Sequence, residues 1–150
     1  TDAVVAHGSL LGGKFFFVEL TAEGLGAIEP NMSAIRALQS LGLIAMAEGM
    51  VLQQNGYVPE CVGVATEAAD FTCRNFVPKM GVDEDVATGS IQVPLNAYWT
   101  AKLGKTAGEP LTCLQASRRG GFVRSRAAEG GSVYVGGRAA LSLRGQLPMR

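Results

Sequence analysis

The sequence predicts an α+β fold: a curled, mostly antiparallel sheet wrapped on one central helix, Ser90–Leu103, with a second helix at Asn31–Leu41 outside it. Three observations predict this. Glycine supplies 20 of the 150 residues, nearly twice the usual share of ~7%, and stands singly or in pairs between short apolar runs, as tight turns between short strands do. Two stretches carry apolar residues at helical spacing with stop or cap residues at their ends. From Leu111 onward, four short strand-like pieces follow one another through Gly-rich joins, which is the pattern of an antiparallel meander.

The elements follow in order. Residues 1–12 are weakly patterned and read as a lead-in. "KFFFVEL", Lys14 to Leu20, is aromatic and β-branched and reads as a buried strand. In "EPNMSAIRALQSLG", Asn31 or Ser33 can cap a helix, Ile35, Leu38 and Leu41 fall on one stripe, and Gly42 can close it. Leu43 to Gln54 is apolar and fits a helix or a strand. Asn55-Gly56 is a turn signal, and Pro59 bars an immediate central strand after it. Strand-like pieces follow at Cys61–Ala65 and Asp70–Val77. Ile91, Leu95, Tyr98 and Trp99 form the packed face of the helix Ser90–Leu103. Pro94 suits only its first turn, and Gly104 fits its stop. The strands "LTCLQAS", "GFVRSRA", "GSVYVG" and "RAALSLRGQL" complete the chain.

Bulk properties bound the function. A chain of 150 residues fits one domain and buries roughly 68–70% of the surface that it exposes when unfolded. Thirteen basic residues balance thirteen acidic ones, so no charge excess points to nucleic acid or an anionic membrane. Cys61, Cys73 and Cys113 form no CxxC pair. Neither a disulfide framework nor a metal site is expected, and three reduced thiols fit a cytoplasmic setting. No run of 18 apolar residues predicts a membrane span.

The chemistry concentrates in "GVDEDVATGSIQVPLNAYW", Gly81 to Trp99. Asp83, Glu84 and Asp85 precede a helix start. Thr88 and Ser90 are good cap residues, and Gly89 lets the backbone come close to a ligand. The first amides of a helix lack internal partners and lie at its positive end, a natural seat for a carboxylate. Asp85 can then exchange protons or hold a polar group of a substrate. Acidic residues near a helix start also stabilise it by about 0.3–1 kcal/mol each, and from the pattern alone a helix cap is the favoured reading. His7, the only histidine, sits in the lead-in with no nucleophile or metal ligands arranged around it. "SRRGG", Ser117 to Gly121, reads as a hairpin turn, with anion contact by an arginine as the lesser option.

At these residues the sequence resembles the phenazine-biosynthesis-like (PhzF-like) isomerase family. "RNFVPKMGVDEDVATGSIQVPLNAYWTAKLG" is similar to its signature R-x-F-x-P-x-x-G-x-x-E-D-P-A-T-G-S and the helix that follows. Arg74, Phe76, Pro78, Gly81, Glu84, Asp85, Ala87, Thr88, Gly89 and Ser90 match in order and spacing. "LQASRRGGFV" resembles the family's Q-x-S-x-R-G-G segment through Gln115, Ser117, Arg119, Gly120 and Gly121, and "VYVGGRAALSLRGQL" resembles its closing strands.

The resemblance implies one half of a diaminopimelate epimerase-like two-domain fold, with residues 1–150 as a single domain like the C-terminal half of such a protein. It implies cofactor-independent proton movement at a carbon of a small carboxylic acid, in a cleft between the halves. Asp85 would be the acid–base partner, and Thr88, Gly89 and Ser90 would bind a substrate carboxylate. The partner would be the missing half or a second copy across the cleft. The chain alone would be inactive, because the family's principal base, a glutamate of the first half, has no match here. Val86 stands where the family has proline, Pro94 intrudes in the helix, and Thr88 occupies the place where related racemases put a thiol. The alternative is a catalytically inactive small-molecule-binding or structural domain of the same fold.

Overall fold

A weakly patterned segment and an aromatic-rich one begin the sheet. Strand β1, Val4–Leu10, runs antiparallel to β2, Gly13–Glu19. The computed structural model describes residues 4–10, 12–52, 68–139, 141 and 144–146. The expected lead-in is therefore a strand over most of its length. Its pattern is weak, and pairing with β2 orders it, His7 standing opposite Phe16.

After β2 come two short helices, α1 (Ala22–Gly26) and α2 (Met32–Ala37). Thr21 caps the first through its hydroxyl, and Asn31 caps the second through Oδ1, which accepts the Ala34 N–H at 3.0 Å. The expected helix through Leu41 ends early, since Leu38 already has an extended backbone. Gly42 opens strand β3, Gly42–Glu48, and does not close the helix. A Cβ at Gly42 would lie 2.6 Å from the Phe76 carbonyl oxygen, so close strand packing requires glycine there. The crossover through α1 and α2 makes β3 parallel to β2.

Strand β4, Phe71–Phe76, pairs antiparallel with β3. Helix α3, Gln92–Lys102, then crosses to β5, Leu111–Gln115, which lies parallel to β4. β6, Gly121–Ala127, and β7, Val133–Gly136, add the antiparallel meander. Among the described residues, seven strands form one sheet in chain order. The sheet is thus mixed, because two helical crossovers each impose a parallel pair, and it is curled. The described residues after Gly136 continue without a strand, in contrast to the strand expected at "RAALSLRGQL". The turn expected at Asn55-Gly56 and the strand expected at Cys61–Ala65 lie outside the described residues.

Side chains alternate across the sheet. Ile44 and Met46 join Phe15, Phe17, Phe71, Cys73, Leu111 and Cys113 in a core completed by Ile91, Leu95 and Trp99 of α3. Ala45, Ala47 and Phe76 turn to the other face, against Leu25 of α1 and Ile35 of α2. Trp99 stacks on Phe71, with ring centroids 5.1 Å apart and planes 12° apart. Pro94 is the third residue of α3, where its missing N–H would have no helical partner in any case. Gly104 follows the helix with φ +63°, the left-handed geometry that suits glycine at a helix end. Among the described residues, no helix is long and apolar enough to cross a membrane.

Candidate functional site

The loop between β4 and α3 is built around polar residues of an otherwise apolar strand. All six residues of β4 are buried, Arg74 and Asn75 included. A buried charge needs a partner, and Arg74 has one. Its Nε and Nη2 donate to the two carboxylate oxygens of Glu84 at 2.8 and 3.0 Å, and Nη1 donates to the Ile28 carbonyl at 3.0 Å. This two-pronged pairing fixes Glu84 beside the strand. The backbone repeats the attachment: Phe76 bridges to Glu84, and the Asp85 N–H donates to the Asn75 carbonyl at 2.9 Å. Asp83 lies farther out, within 3.7 Å of the exposed Arg36.

Asp85 follows at once and faces a different set of groups. Its Oδ2 accepts the Thr88 hydroxyl at 2.6 Å. The same hydroxyl oxygen accepts from Asn75 Nδ2 at 3.0 Å and from Gln115 Nε2 at 3.1 Å. Gln115, at the end of β5, also takes the Thr88 N–H on Oε1 at 2.8 Å and donates to the Asp85 carbonyl at 2.7 Å. One side chain from β5 therefore clamps both ends of the Asp85–Thr88 turn. Ser117 continues the attachment by donating to the Val86 carbonyl at 2.7 Å, and its oxygen accepts the Gly120 N–H. The turn bearing Arg118 and Arg119 is thereby docked against the loop. A Cβ at Gly121 would come within 2.9 Å of the Ala87 side chain, so this docking favours glycine.

The expected site residues are thus neighbours, and their polar groups divide into two sets. The hydroxyl and N–H of Thr88 turn inward to Asp85, Asn75 and Gln115. Gly89 is exposed and Ser90 half-buried at the entrance to α3. No side chain caps that helix; the Gly89 and Ser90 carbonyls accept its first N–H groups at 3.1 and 3.3 Å. Among the described residues, the N–H groups of Gly89 and Ser90 themselves have no hydrogen-bond acceptor. The capping expected of Thr88 is absent because its hydroxyl serves Asp85. The result is a pair of backbone donors just before an 11-residue helix, adjacent in the chain to Thr88, whose hydroxyl holds Asp85 Oδ2.

Sequence reasoning gave Asn75 no part in this arrangement, and matched Arg74 and Gln115 to a motif without assigning them a task. The available signal was polarity inside short apolar strands, "FTCRNF" and "LTCLQ". No group of three or more potential metal ligands occurs among the described residues. An open groove on the β6–β7 side, lined by Arg126, Glu129 and Tyr134, contains none of the expected site residues.

Residues 3–145 match the family model described as phenazine biosynthesis-like protein. The chain is 34% identical over 125 residues to an uncharacterised isomerase of Pseudomonas aeruginosa, covering 83% of this chain and 40% of that one. It is 42% identical over 123 residues to a phenazine biosynthesis-like domain-containing protein of Bos taurus, covering 82% and 39%. It therefore spans about two fifths of the length of these curated relatives. A putative phenazine biosynthesis protein of Clostridium difficile shares the fold at TM-score 0.69 and 23% identity, over 98% of this chain and 54% of that one. A family member from Enterococcus faecalis gives TM-score 0.58 at 27% identity, over 89% and 48%.

Proposed function

Because the chain belongs to the phenazine biosynthesis-like protein family, we propose that it forms one wall of an isomerase cleft in which a proton moves at a carbon of a small carboxylic acid. One juxtaposition carries the reading: the Asp85 carboxylate is held through Oδ2 beside a helix entrance whose Gly89 and Ser90 N–H groups have no acceptor among the described residues. Those amides and the Ser90 hydroxyl seat the substrate carboxylate, and Thr88 lies between the seat and Asp85. Asp85 exchanges the proton. No cofactor enters this scheme. α3 serves as the central helix of one half of a two-domain fold, and residues 1–150 act as its C-terminal half, in the cytoplasm.

Two observations support a shared site. The chain spans about two fifths of its curated relatives, so another portion of a longer protein has room to supply an opposing wall. Val86 and Val93, on either side of the exposed Gly89, are exposed large apolar residues, as expected at the rim of a cleft. A carboxylate base on that second wall, or on a second copy, completes the acid–base pair, and the chain alone is inactive.

The test is deuterium exchange at carbon in a panel of cyclic and α-amino acids, using the chain combined with the complementary part of a relative. Asp85→Asn is expected to cut exchange ~10²–10⁴-fold while carboxylate binding persists. Absence of exchange with the unsubstituted chain on every acid would overturn the enzyme reading. The Asp85–Thr88–Gln115 cluster bonds to itself without any ligand, and this favours a second reading, a catalytically inactive binding or structural domain. Under that reading, Asp85→Asn leaves ligand binding unchanged and no exchange is seen before or after substitution.

A further inference from the structure

The hydrogen bonds around Thr88 restrict which way each group can point. Gln115 has only one possible orientation: its Oε1 meets a backbone N–H and its Nε2 meets a backbone carbonyl, and neither backbone group can change roles. Gln115 Nε2 is therefore a permanent donor to the Thr88 hydroxyl oxygen. Asn75 Nδ2 is the second donor to that oxygen. A hydroxyl has two acceptor sites and one proton, so the proton must point at Asp85 Oδ2, 2.6 Å away. This arrangement suits an ionised Asp85.

The other end of the Asn75 amide makes the arrangement reversible. Asn75 is 2% exposed, and its Oδ1 is buried with no hydrogen-bond partner among the described residues. No hydrogen bond among the described residues has to break at the Oδ1 end when the amide rotates. Its hydrogen bond to Thr88 is the one that the amide makes among the described residues, and an amide's two ends are nearly equal in size.

We propose that Thr88 and Asn75 form a hydrogen-bond relay that reverses with the charge of Asp85, making them positioning residues for both of its protonation states. With Asp85 ionised, Asn75 donates to Thr88 and Thr88 donates to Asp85. When Asp85 takes a proton on Oδ2, it donates to Thr88. The Thr88 hydroxyl then turns its own proton toward Asn75, whose amide rotates to present Oδ1. Gln115 donates to Thr88 throughout. No proton passes along the relay; one proton is added to Asp85, and two hydrogen bonds change direction. The inference rests on the proposed role of Asp85 for its use in catalysis, because an acid–base group must be held in one geometry both before and after it takes the proton. Charged groups on the Asp85 loop and on the elements bonded to it are Asp83 and Glu84 in the loop, Arg36 of α2 paired with Asp83, Arg74 of β4 paired with Glu84, and Arg118 and Arg119 on the turn that Ser117 ties to Val86.

Nuclear magnetic resonance on the intact chain tests the relay without turnover. The Asp85 carboxyl carbon and the Asn75 side-chain amide are expected to shift with one common midpoint as pH changes, while the Gln115 amide keeps its hydrogen-bond pattern. Thr88→Ser retains the common midpoint. Thr88→Val removes the Asn75 response, with backbone signals away from the loop unchanged as the check on folding. The relay is overturned if Asp85 titrates while the Asn75 amide of the unsubstituted chain stays still, or if Asp85 does not titrate over the range in which the fold survives. Survival of the Asn75 response in Thr88→Val would overturn it equally. A common midpoint together with no exchange chemistry on any acid would retain the relay and sink the isomerase reading. Exchange chemistry without a common midpoint would do the reverse.

Discussion

At the scale of single residues, the charged pairs differ in what they hold. The side chain of Arg74 is 8% exposed and that of Glu84 is 18% exposed. Glu84→Ala would leave a buried guanidinium with one hydrogen bond, to Ile28, and no counter-charge. A loss of about 3 kcal/mol is expected, at the low end of the range for breaking a buried pair because Glu84 retains some water; urea denaturation measures it. Glu19 works differently. Burial alone would raise its carboxyl, but hydrogen bonds from Lys102 and Tyr98 and the Lys102 charge outweigh burial and hold it below the ordinary value. A depressed carboxyl contributes stability above its unfolded value, about 4.3, and that contribution disappears as pH falls through the folded value. The chain should therefore lose more stability between roughly pH 6 and pH 3 than Glu19→Gln does, which unfolding curves across that window would show. Lys102 itself is raised by its hydrogen bond to Glu19, so its share is present below its unfolded value and fades in strong base.

At the scale of elements, α3 shows how position decides a residue's effect. Proline inside a helix costs about 3 kcal/mol or more. Pro94 occupies the first turn, so Pro94→Ala should change stability by less than about 1 kcal/mol; a loss near the interior value in thermal unfolding would contradict the placement. The spacing of Ile91, Leu95 and Trp99 made this helix legible in the sequence, because one face at helical period must be buried. The strand β3 was not legible. Ile44 and Met46 pack against α3 while Ala45 and Ala47 face the other helices, so both faces are apolar and the alternation that marks a strand disappears. The end of α2 was misread for a related reason. Leu38 and Leu41 are partly buried against core clusters, yet they reach them from the bend that follows the helix and not from a helical stripe.

At the scale of the whole molecule, the parallel pair β4–β5 joins the two halves of the sheet and carries the site. Asn75 stands on β4 and Gln115 on β5, and together they hold Thr88. Beneath them Cys73 and Cys113 bring their sulfurs to 3.5 Å, both fully buried. The hydrogen bond to Cys113 and burial push the Cys73 thiol well above its ordinary value. Thiol chemistry needs the thiolate, so in a Cys61→Ser variant no cysteine should react with a thiol reagent until denaturant opens the sheet; a rapid reaction in the native state would contradict this core. Three features were readable from local pattern: strands β5 to β7 of the expected meander, the helix expected at Ser90–Leu103 and formed over Gln92–Lys102, and the motif that puts Asp85 before it; turn residues, helical spacing and a long ordered motif are all local. Contacts between distant segments set the rest: residues 4–10 pair with β2, two pairs of the described strands run parallel, and the Thr88 hydroxyl goes to Asp85. Hydrogen-bond donors and acceptors are matched between segments 13 to 40 residues apart in the chain, and no local pattern records which partner wins.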